Sequence, residues 1–102
     1  MPEESRRVSF DLGPLVATPA ALEALQRNEM NGLELLSRHV RGDWGNLCDE
    51  DKAANESALT TGARLLSAYD LPDETKIWII TDAEIDDQHR RYATTILLPD
   101  DY

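Results

Sequence analysis

A helical pattern breaks off at His39-Val40-Arg41-Gly42-Asp43-Trp44-Gly45-Asn46-Leu47, and another opens at Asp49-Glu50-Asp51. Two glycines flank the Asp-Trp pair, and glycine is the residue that most readily adopts a left-handed backbone conformation. Gly42 is therefore predicted to turn the chain out of the first of these helices. Acidic residues are favoured at a helix N-terminus, so Asp49 is expected to cap the next helix, with Glu50 and Asp51 in its first turn.

Two shorter helices are predicted upstream of Gly42. The first runs over residues 20–27, with Thr18 as its cap and a proline at the first helical position. The second begins after Asn31, which is also a good capping residue. The helix downstream extends to Gly62, and it is expected to bury a face of small residues, namely Ala54, Ala58 and Thr61.

The remaining segments are predicted to be strands. Apolar and polar residues alternate over 8–12, and a second short extended piece follows at 15–17. Three apolar runs later in the chain also predict strands, at 63–69, 76–81 and 92–98. The middle run is the most hydrophobic of the three, so it is expected to be the central strand.

This order of elements predicts an α+β fold. About three helices would pack on a small antiparallel sheet that ends in a three-stranded C-terminal meander. With 102 residues the chain is expected to form a single domain over 8–102, preceded by a disordered tail at 1–7.

The charge of the chain is strongly negative and unevenly distributed. Residues 1–42 carry five Arg against six Asp or Glu, and residues 43–102 carry five Lys or Arg against fourteen Asp or Glu, which together give the net charge of −10. A protein that binds nucleic acid directly needs a basic surface, and an anionic membrane would repel this chain. The charge therefore argues against both partners and favours a basic partner or a site that normally receives DNA.

The sequence predicts a cytoplasmic protein. No apolar run approaches the roughly 20 residues of a membrane helix, and the first seven residues lack the apolar core of a secretory signal. Cys48 is the only cysteine, which fits a reducing compartment.

Several segments resemble a family of small bacterial proteins of plasmids and integrative elements, known as plasmid-related proteins and sometimes named type I restriction endonuclease subunit M. The segments that carry the resemblance are Leu15–Leu25, Arg38–Gly45, Glu50-Asp51, Asn55 and Thr94–Pro99. A modification subunit needs a methyltransferase domain with its catalytic motif, and the chain has neither. The resemblance therefore implies a setting, a mobile element in a bacterial cytoplasm, and no activity. The charged connection at 84–91 is longer than the tight turn of the family.

One interpretation of the central stretch is a divalent-cation site. His39 and Asp43 are four residues apart at a helix end, so both can face one side. Glu50, Asp51 and Asn55 would add oxygen ligands, and a His with carboxylates suits Zn, Mn or Fe. The pattern predicts, as an alternative function, a small metal-dependent hydrolase or nuclease, although a diagnostic motif such as His-Glu-x-x-His is missing.

The preferred interpretation of the same stretch is structural, with no catalytic residue and no cofactor. Trp44 would cover the core, and Asn55 is predicted to bond the backbone of the turn between Gly42 and Gly45. Arg64 is predicted to pair with Asp43 or Glu50. The predicted binding surface then consists of His39, Asp43, Trp44, Glu50, Asp51, Asn55 and Arg64.

The function that these features favour is that of a non-enzymatic accessory protein that binds another protein, such as a host defence or DNA-processing enzyme. In a sharper form of this hypothesis the carboxylates imitate DNA phosphates. A further alternative is an antitoxin-like regulator that pairs through the last strand, 92–98, as an exposed edge. The same edge would support a homodimer.

Overall fold

A computed structural model describes residues 10–102 of the chain. Three helices and four strands follow one another in the order β1-α1-α2-α3-β2-β3-β4. The strands are β1 (Leu15–Ala17), β2 (Leu65–Asp70), β3 (Lys76–Thr81) and β4 (Thr94–Leu97). The helices are α1 (Pro19–Arg27), α2 (Gly32–Val40) and α3 (Asp49–Thr61), and a short 3-10 helix covers Pro99–Asp101. The predicted α+β fold is confirmed.

The first predicted strand is not found where it can be checked. Residues 10–12 lie in no strand, while residues 8 and 9 and the predicted tail at 1–7 fall outside the described part of the chain. Residues 10–14 nevertheless contact the sheet, because the Pro14 carbonyl accepts a hydrogen bond from the Thr94 N–H at 2.9 Å. This segment leads into β1.

The sheet is mixed, with the strand order β1-β4-β3-β2. The predicted C-terminal meander is confirmed, because β2, β3 and β4 pair antiparallel in succession. The prediction of a wholly antiparallel sheet is wrong, because β1 pairs parallel with β4, with Leu15 opposite Thr94. β3 is an internal strand as expected, but β4 is internal too, and the edges of the sheet are β1 and β2.

All three helices pack against one face of the sheet. That face carries the alternate residues of the central strands: Leu65, Ser67, Tyr69, Ile77, Ile79, Thr81, Thr94 and Ile96, all buried. Ala21 and Leu25 of α1 and Leu35 of α2 fill the larger part of the core against it. Trp44 and Ala58 form a second cluster with Leu65. The stretch of sequence that contains Trp44 therefore packs at one end of the helix layer.

The helix ends follow the local sequence closely. The Thr18 side chain accepts from the Ala21 N–H, and the Asn31 side chain accepts from the Leu33 N–H, as predicted. Gly62 ends α3 with a φ of 83°, also as predicted. The prediction for Asp49 is wrong by one residue, because Cys48 is the capping residue and Asp49 is the first residue of the helix.

The buried face of α3 differs from the prediction. Ala58 is buried, but Ala54 and Thr61 are exposed. The face that meets the sheet is instead the i, i+3, i+4, i+7 stripe of Asn55, Ala58, Leu59 and Gly62. A polar residue, Asn55, lies in this stripe, so the pattern of apolar and small residues predicts the wrong rotation of the helix.

Within residues 10–102, no helix is long and apolar enough to cross a membrane.

Candidate functional site

A chain of buried hydrogen bonds runs from α2 across the sheet. His39 is fully buried, and its Nδ1 lies 2.6 Å from the Ser67 hydroxyl, while its Nε2 lies 2.9 Å from the Thr81 hydroxyl. Thr81 in turn lies 2.8 Å from the hydroxyl of Thr94, which donates to the Leu12 carbonyl at 2.7 Å. This chain of hydrogen bonds thus joins α2, β2, β3 and β4, and the imidazole of His39 bonds two of these strands directly.

The direction of each hydrogen bond in this chain follows from its last member. A carbonyl oxygen can only accept, so the Thr94 hydroxyl donates its proton to the Leu12 carbonyl and accepts from the Thr81 hydroxyl. The Thr81 hydroxyl then accepts from His39, which must carry its proton on Nε2. Both ring nitrogens of His39 are thus occupied by protein groups, and because burial holds its pKa near 4 the ring is neutral at pH 7, with Nδ1 accepting from Ser67.

Burial lowers the pKa of His39 from its ordinary value of 6.5 to about 4. In the unfolded chain the imidazole is protonated below about pH 6.5, whereas in the folded protein it is protonated only below about pH 4. The unfolded state therefore binds more protons between these two values, so stability is lost as the pH falls through this window.

We expect the free energy of unfolding to fall by about 3 kcal/mol between pH 6.5 and pH 4, from a shift of this size. Urea unfolding followed at several pH values measures it. In His39→Gln, which keeps a donor and an acceptor, most of this slope should vanish. An unchanged slope in the variant would assign the acid sensitivity to other groups.

The turn from Gly42 to Gly45 is closed by its own polar groups and by the sheet. Both glycines have a φ of 79°, the left-handed conformation predicted for them. The Asp43 side chain accepts from the Gly45 N–H at 3.2 Å and pairs with Arg38, with 2.7 Å between Nε and Oδ2. The guanidinium of Arg38 holds the pKa of Asp43 below its usual value. Asp43 therefore caps the turn, as the structural interpretation expects.

Backbone groups fasten this turn to β2. The Ala68 N–H donates to the Trp44 carbonyl at 3.0 Å, and the Asn46 N–H donates to the Ala68 carbonyl at 2.7 Å. Tyr69 adds a third bond by donating its hydroxyl to the Asp43 carbonyl at 2.7 Å. The outer edge of β2 is thereby covered by the turn.

Trp44 covers one end of the core, as predicted. It is 4% exposed, and its ring packs edge-on against the imidazole of His39 with 5.8 Å between the ring centres. Its Nε1 donates to the Glu56 carboxylate at 2.9 Å. Trp44 thus joins the turn, α2 and α3, and it presents almost no surface to a partner.

Asn55 is buried, as predicted, but it does not bond the turn. Its side-chain amide pairs with the backbone of Leu66 in β2, donating to the carbonyl at 2.6 Å and accepting from the N–H at 3.0 Å. An asparagine carries one donor and one acceptor group, which matches the free edge of a strand. Asn55 therefore replaces a neighbouring strand for one residue of β2.

Replacing Asn55 with alanine leaves both backbone groups of Leu66 unpaired, and we expect a loss of about 2–3 kcal/mol in the free energy of unfolding. Chemical denaturation measures this loss. Asn46→Ala is the matched control, because the Asn46 side-chain amide donates to the exposed carboxylate of Asp70 and not to a strand backbone. A loss below about 1 kcal/mol in both variants would show that the Leu66 edge tolerates an empty partner position.

The predicted metal ligands are not brought together. His39 is buried with both nitrogens occupied, Asp43 pairs with Arg38, and Glu50 and Asp51 are exposed in the first turn of α3. No group of three or more His, Cys, Asp or Glu side chains within the described residues is arranged to hold a metal ion. The structure therefore does not bring His39, Asp43, Glu50 and Asp51 together around one position.

Arg64 does not pair with Asp43 or Glu50, so this prediction is wrong. It donates to the hydroxyl of Tyr102 and lies over that ring. Tyr102 packs edge-on against Trp78 of β3, with 5.8 Å between ring centres. Trp78 belongs to the sheet face away from the helices, so Arg64 helps to cover that face and not the turn.

Arg91 is a buried residue that sequence reasoning missed. Its side chain is 1% exposed, and its Nη1 donates to the carbonyls of Ala63 and Asp82 at 2.8 and 3.0 Å. Nη2 lies 3.7 Å from a carboxylate oxygen of Glu84. Arg91 therefore anchors the long 84–91 connection to the segment between α3 and β2. A charged residue in a charged loop gives no sequence signal of burial.

A second feature missed by the sequence is an apolar groove at the β1 edge. Four apolar side chains there are 44–60% exposed: Leu15, Val16, Leu22 and Leu33. All four residues border a groove of about 240 Å³ that is also lined by Ala17, Leu25, Asn31, Gly32 and Ile96. We call this feature the β1 groove. Exposed apolar side chains that cluster in this way mark interaction sites more often than scattered ones do.

Comparison with known protein families, with curated proteins and with solved structures finds no match to this chain.

Proposed function

We propose that this protein is a non-enzymatic accessory protein of a mobile genetic element in a bacterial cytoplasm, and that it acts by binding another protein. The observation that carries the binding function is the β1 groove, where Leu22 and Leu33 are 55% and 60% exposed beside an edge strand. The setting rests on the resemblance of the central stretch to plasmid-related proteins. A host defence or DNA-processing enzyme is the partner we favour.

Three residues of the binding surface that the sequence predicts have a structural role in this proposal. His39, Trp44 and Asn55 are buried and hydrogen-bonded within the fold. They hold α2 and α3 on the sheet, and α2 is the helix that carries Leu33 of the groove. Variants of these residues should lower stability first and binding only in consequence.

Pairing through a strand edge, as in an antitoxin-like regulator, is supported at a different strand from the one predicted. β4 lies between β1 and β3 and offers no edge, whereas β1 ends the sheet. The DNA-mimic form of the proposal rests on charge alone, and Asp49, Glu50 and Asp51 are its exposed carboxylates on α3. The β1 groove is the better supported surface because it combines apolar contact with an edge strand.

A photo-crosslinking amino acid at position 33 tests the proposal in the native host. We expect it to capture one protein partner, which mass spectrometry identifies. The same amino acid at position 85 is the control, because Ile85 is equally exposed, at 60%, but does not line the groove. Capture of the same partner from both positions, or from neither, would contradict binding through the groove.

A further inference from the structure

The outward edge of β1 presents backbone groups in the pattern of an unpaired strand. On the inward side, the Thr94 N–H donates to the Pro14 carbonyl and the Thr18 N–H donates to the Ile96 carbonyl, at 2.9 and 3.0 Å. In a ladder the backbone groups of alternate residues point the same way. Leu15 and Ala17 therefore direct their N–H and C=O groups away from β4. Within the described residues, β1 pairs with β4 alone.

The side chains beside this edge are arranged for an extended ligand. Leu15 and Ala17 lie opposite Thr94 and Ile96, whose side chains face the helices, so they border the β1 groove. Val16 lies opposite Thr95 on the other face of the sheet and is 48% exposed. A strand added alongside would alternate in the same way. Every second side chain would enter the groove against Leu22 and Leu33.

The residues that line the groove carry no charge, and the charged residues that follow its two leucines in sequence are negative. Glu23 and Glu34 are exposed and adjoin the two groove leucines in sequence. Asp101 lies at the end of β1, where its Oδ2 accepts from the Thr18 hydroxyl at 2.7 Å. No Lys or Arg of the described chain lines the groove. A second copy would bring two chains of net charge −10 together, which disfavours self-association through this edge.

We infer that the β1 groove binds an extended segment of a partner protein that alternates apolar residues and is flanked by Lys or Arg. The segment would add to the sheet beside β1, so that backbone hydrogen bonds give affinity and the groove selects apolar side chains. The flanking cations would meet Glu23, Glu34 and Asp101. This inference rests on the proposed protein-binding function and specifies the chemistry of the bound segment.

A synthetic peptide that alternates valine with threonine between pairs of lysines is the probe. We expect saturable binding in fluorescence anisotropy, at least about tenfold tighter than for the same peptide with glutamate in place of lysine. Binding should weaken as salt rises. N-methylation of the backbone groups on one edge of the peptide should abolish it. Equal affinity for the lysine and glutamate peptides would overturn the charge assignment.

Protein variants separate apolar contact from charge. Leu33→Glu should weaken binding of the lysine peptide at least about tenfold although it adds a negative charge, because an apolar wall of the groove is lost. Ile85→Glu, which adds the same charge outside the groove, should have no such effect. Glu23→Lys combined with Glu34→Lys should shift the preference toward the glutamate peptide. An unchanged preference would contradict the inference.

Amide hydrogen exchange reports the geometry of binding. On addition of the peptide, the amides of Leu15 and Ala17 should become protected, because they are the ones that face the added strand. Binding that leaves these amides unprotected, as a helical ligand would, overturns the inference.

Sedimentation tests whether a second copy of the chain occupies the groove. A dimer that Leu33→Glu breaks would overturn the inference, since the occupant would then be a second copy. Capture of a partner at position 33 without peptide binding would leave the proposed function standing and reject the extended segment.

Discussion

Replacing Trp44 with alanine is expected to lower the free energy of unfolding by about 3–5 kcal/mol, the range for truncating a buried large aromatic residue. Trp44 is 4% exposed and fills the space between the turn, α2 and α3. Its removal would also leave the Glu56 carboxylate without the indole N–H and the His39 ring without its edge-on neighbour. Denaturation monitored by circular dichroism measures the loss, since the variant lacks one of the two tryptophans that fluorescence would follow.

Trp44→Phe is the matched control for this prediction. It keeps most of the apolar volume and loses the 2.9 Å hydrogen bond to Glu56, so we expect a loss of about 1–2 kcal/mol. If the alanine and phenylalanine variants were equally destabilised, the hydrogen bond and not the packing would be the main contribution of Trp44. If neither lost stability, the ring would have no part in holding the helices to the sheet.

Replacing Gly45 with alanine is expected to cost about 3 kcal/mol or more. The backbone at Gly45 has a φ of 79°, where a side chain alone costs about 1–2 kcal/mol. A Cβ here would also lie 2.0 Å from the Ala68 carbonyl oxygen, which is backbone and cannot turn aside. The turn would have to move away from β2, and the bonds at 3.0 and 2.7 Å that join them would weaken, each worth about 0.5–1.5 kcal/mol.

Gly62→Ala tests the same backbone conformation without the backbone clash. Gly62 has a φ of 83°. The atoms nearest to a Cβ added here, at 2.5 and 2.7 Å, belong to the carboxylate end of Glu84, which is a flexible side chain. We expect a loss of about 1–2 kcal/mol, from the φ penalty alone. Equal losses at the two glycines would mean that close approach of the turn to β2 contributes nothing.

Local patterns predicted the parts of the fold that depend on neighbours in sequence. The caps at Thr18 and Asn31 and the left-handed glycines are set by contacts within a few residues, so one sequence is enough to find them. The span of β3, residues 76–81, was predicted in full because its apolar run is bounded by a turn and a charged connection. The meander followed, since strands that succeed one another in sequence usually lie side by side in a sheet.

The misplaced contacts all involve partners distant in sequence. Asn55 was predicted to be buried, but its partner Leu66 lies in a strand whose edge position no local pattern reveals. Arg64 was assigned to the turn, and it bonds to Tyr102, which is 38 residues away. Arg91 is buried because its guanidinium meets the carbonyls of Ala63 and Asp82, and the residues that precede it, 86–90, are all polar or charged.

Hydrophobic period, capping chemistry and glycine conformation act over a few residues, so the helices, the meander and the turn at Gly42–Gly45 can be predicted from local sequence. The parallel pairing of β1 with β4, which makes β1 an edge, depends on tertiary contacts, because it joins residues as far apart as Leu15 and Thr94. The tertiary structure also turned His39 from a candidate ligand into a buried, neutral link between α2 and the sheet. Strand order and burial depend on which surfaces meet, and those long-range contacts leave no period or motif in a single sequence.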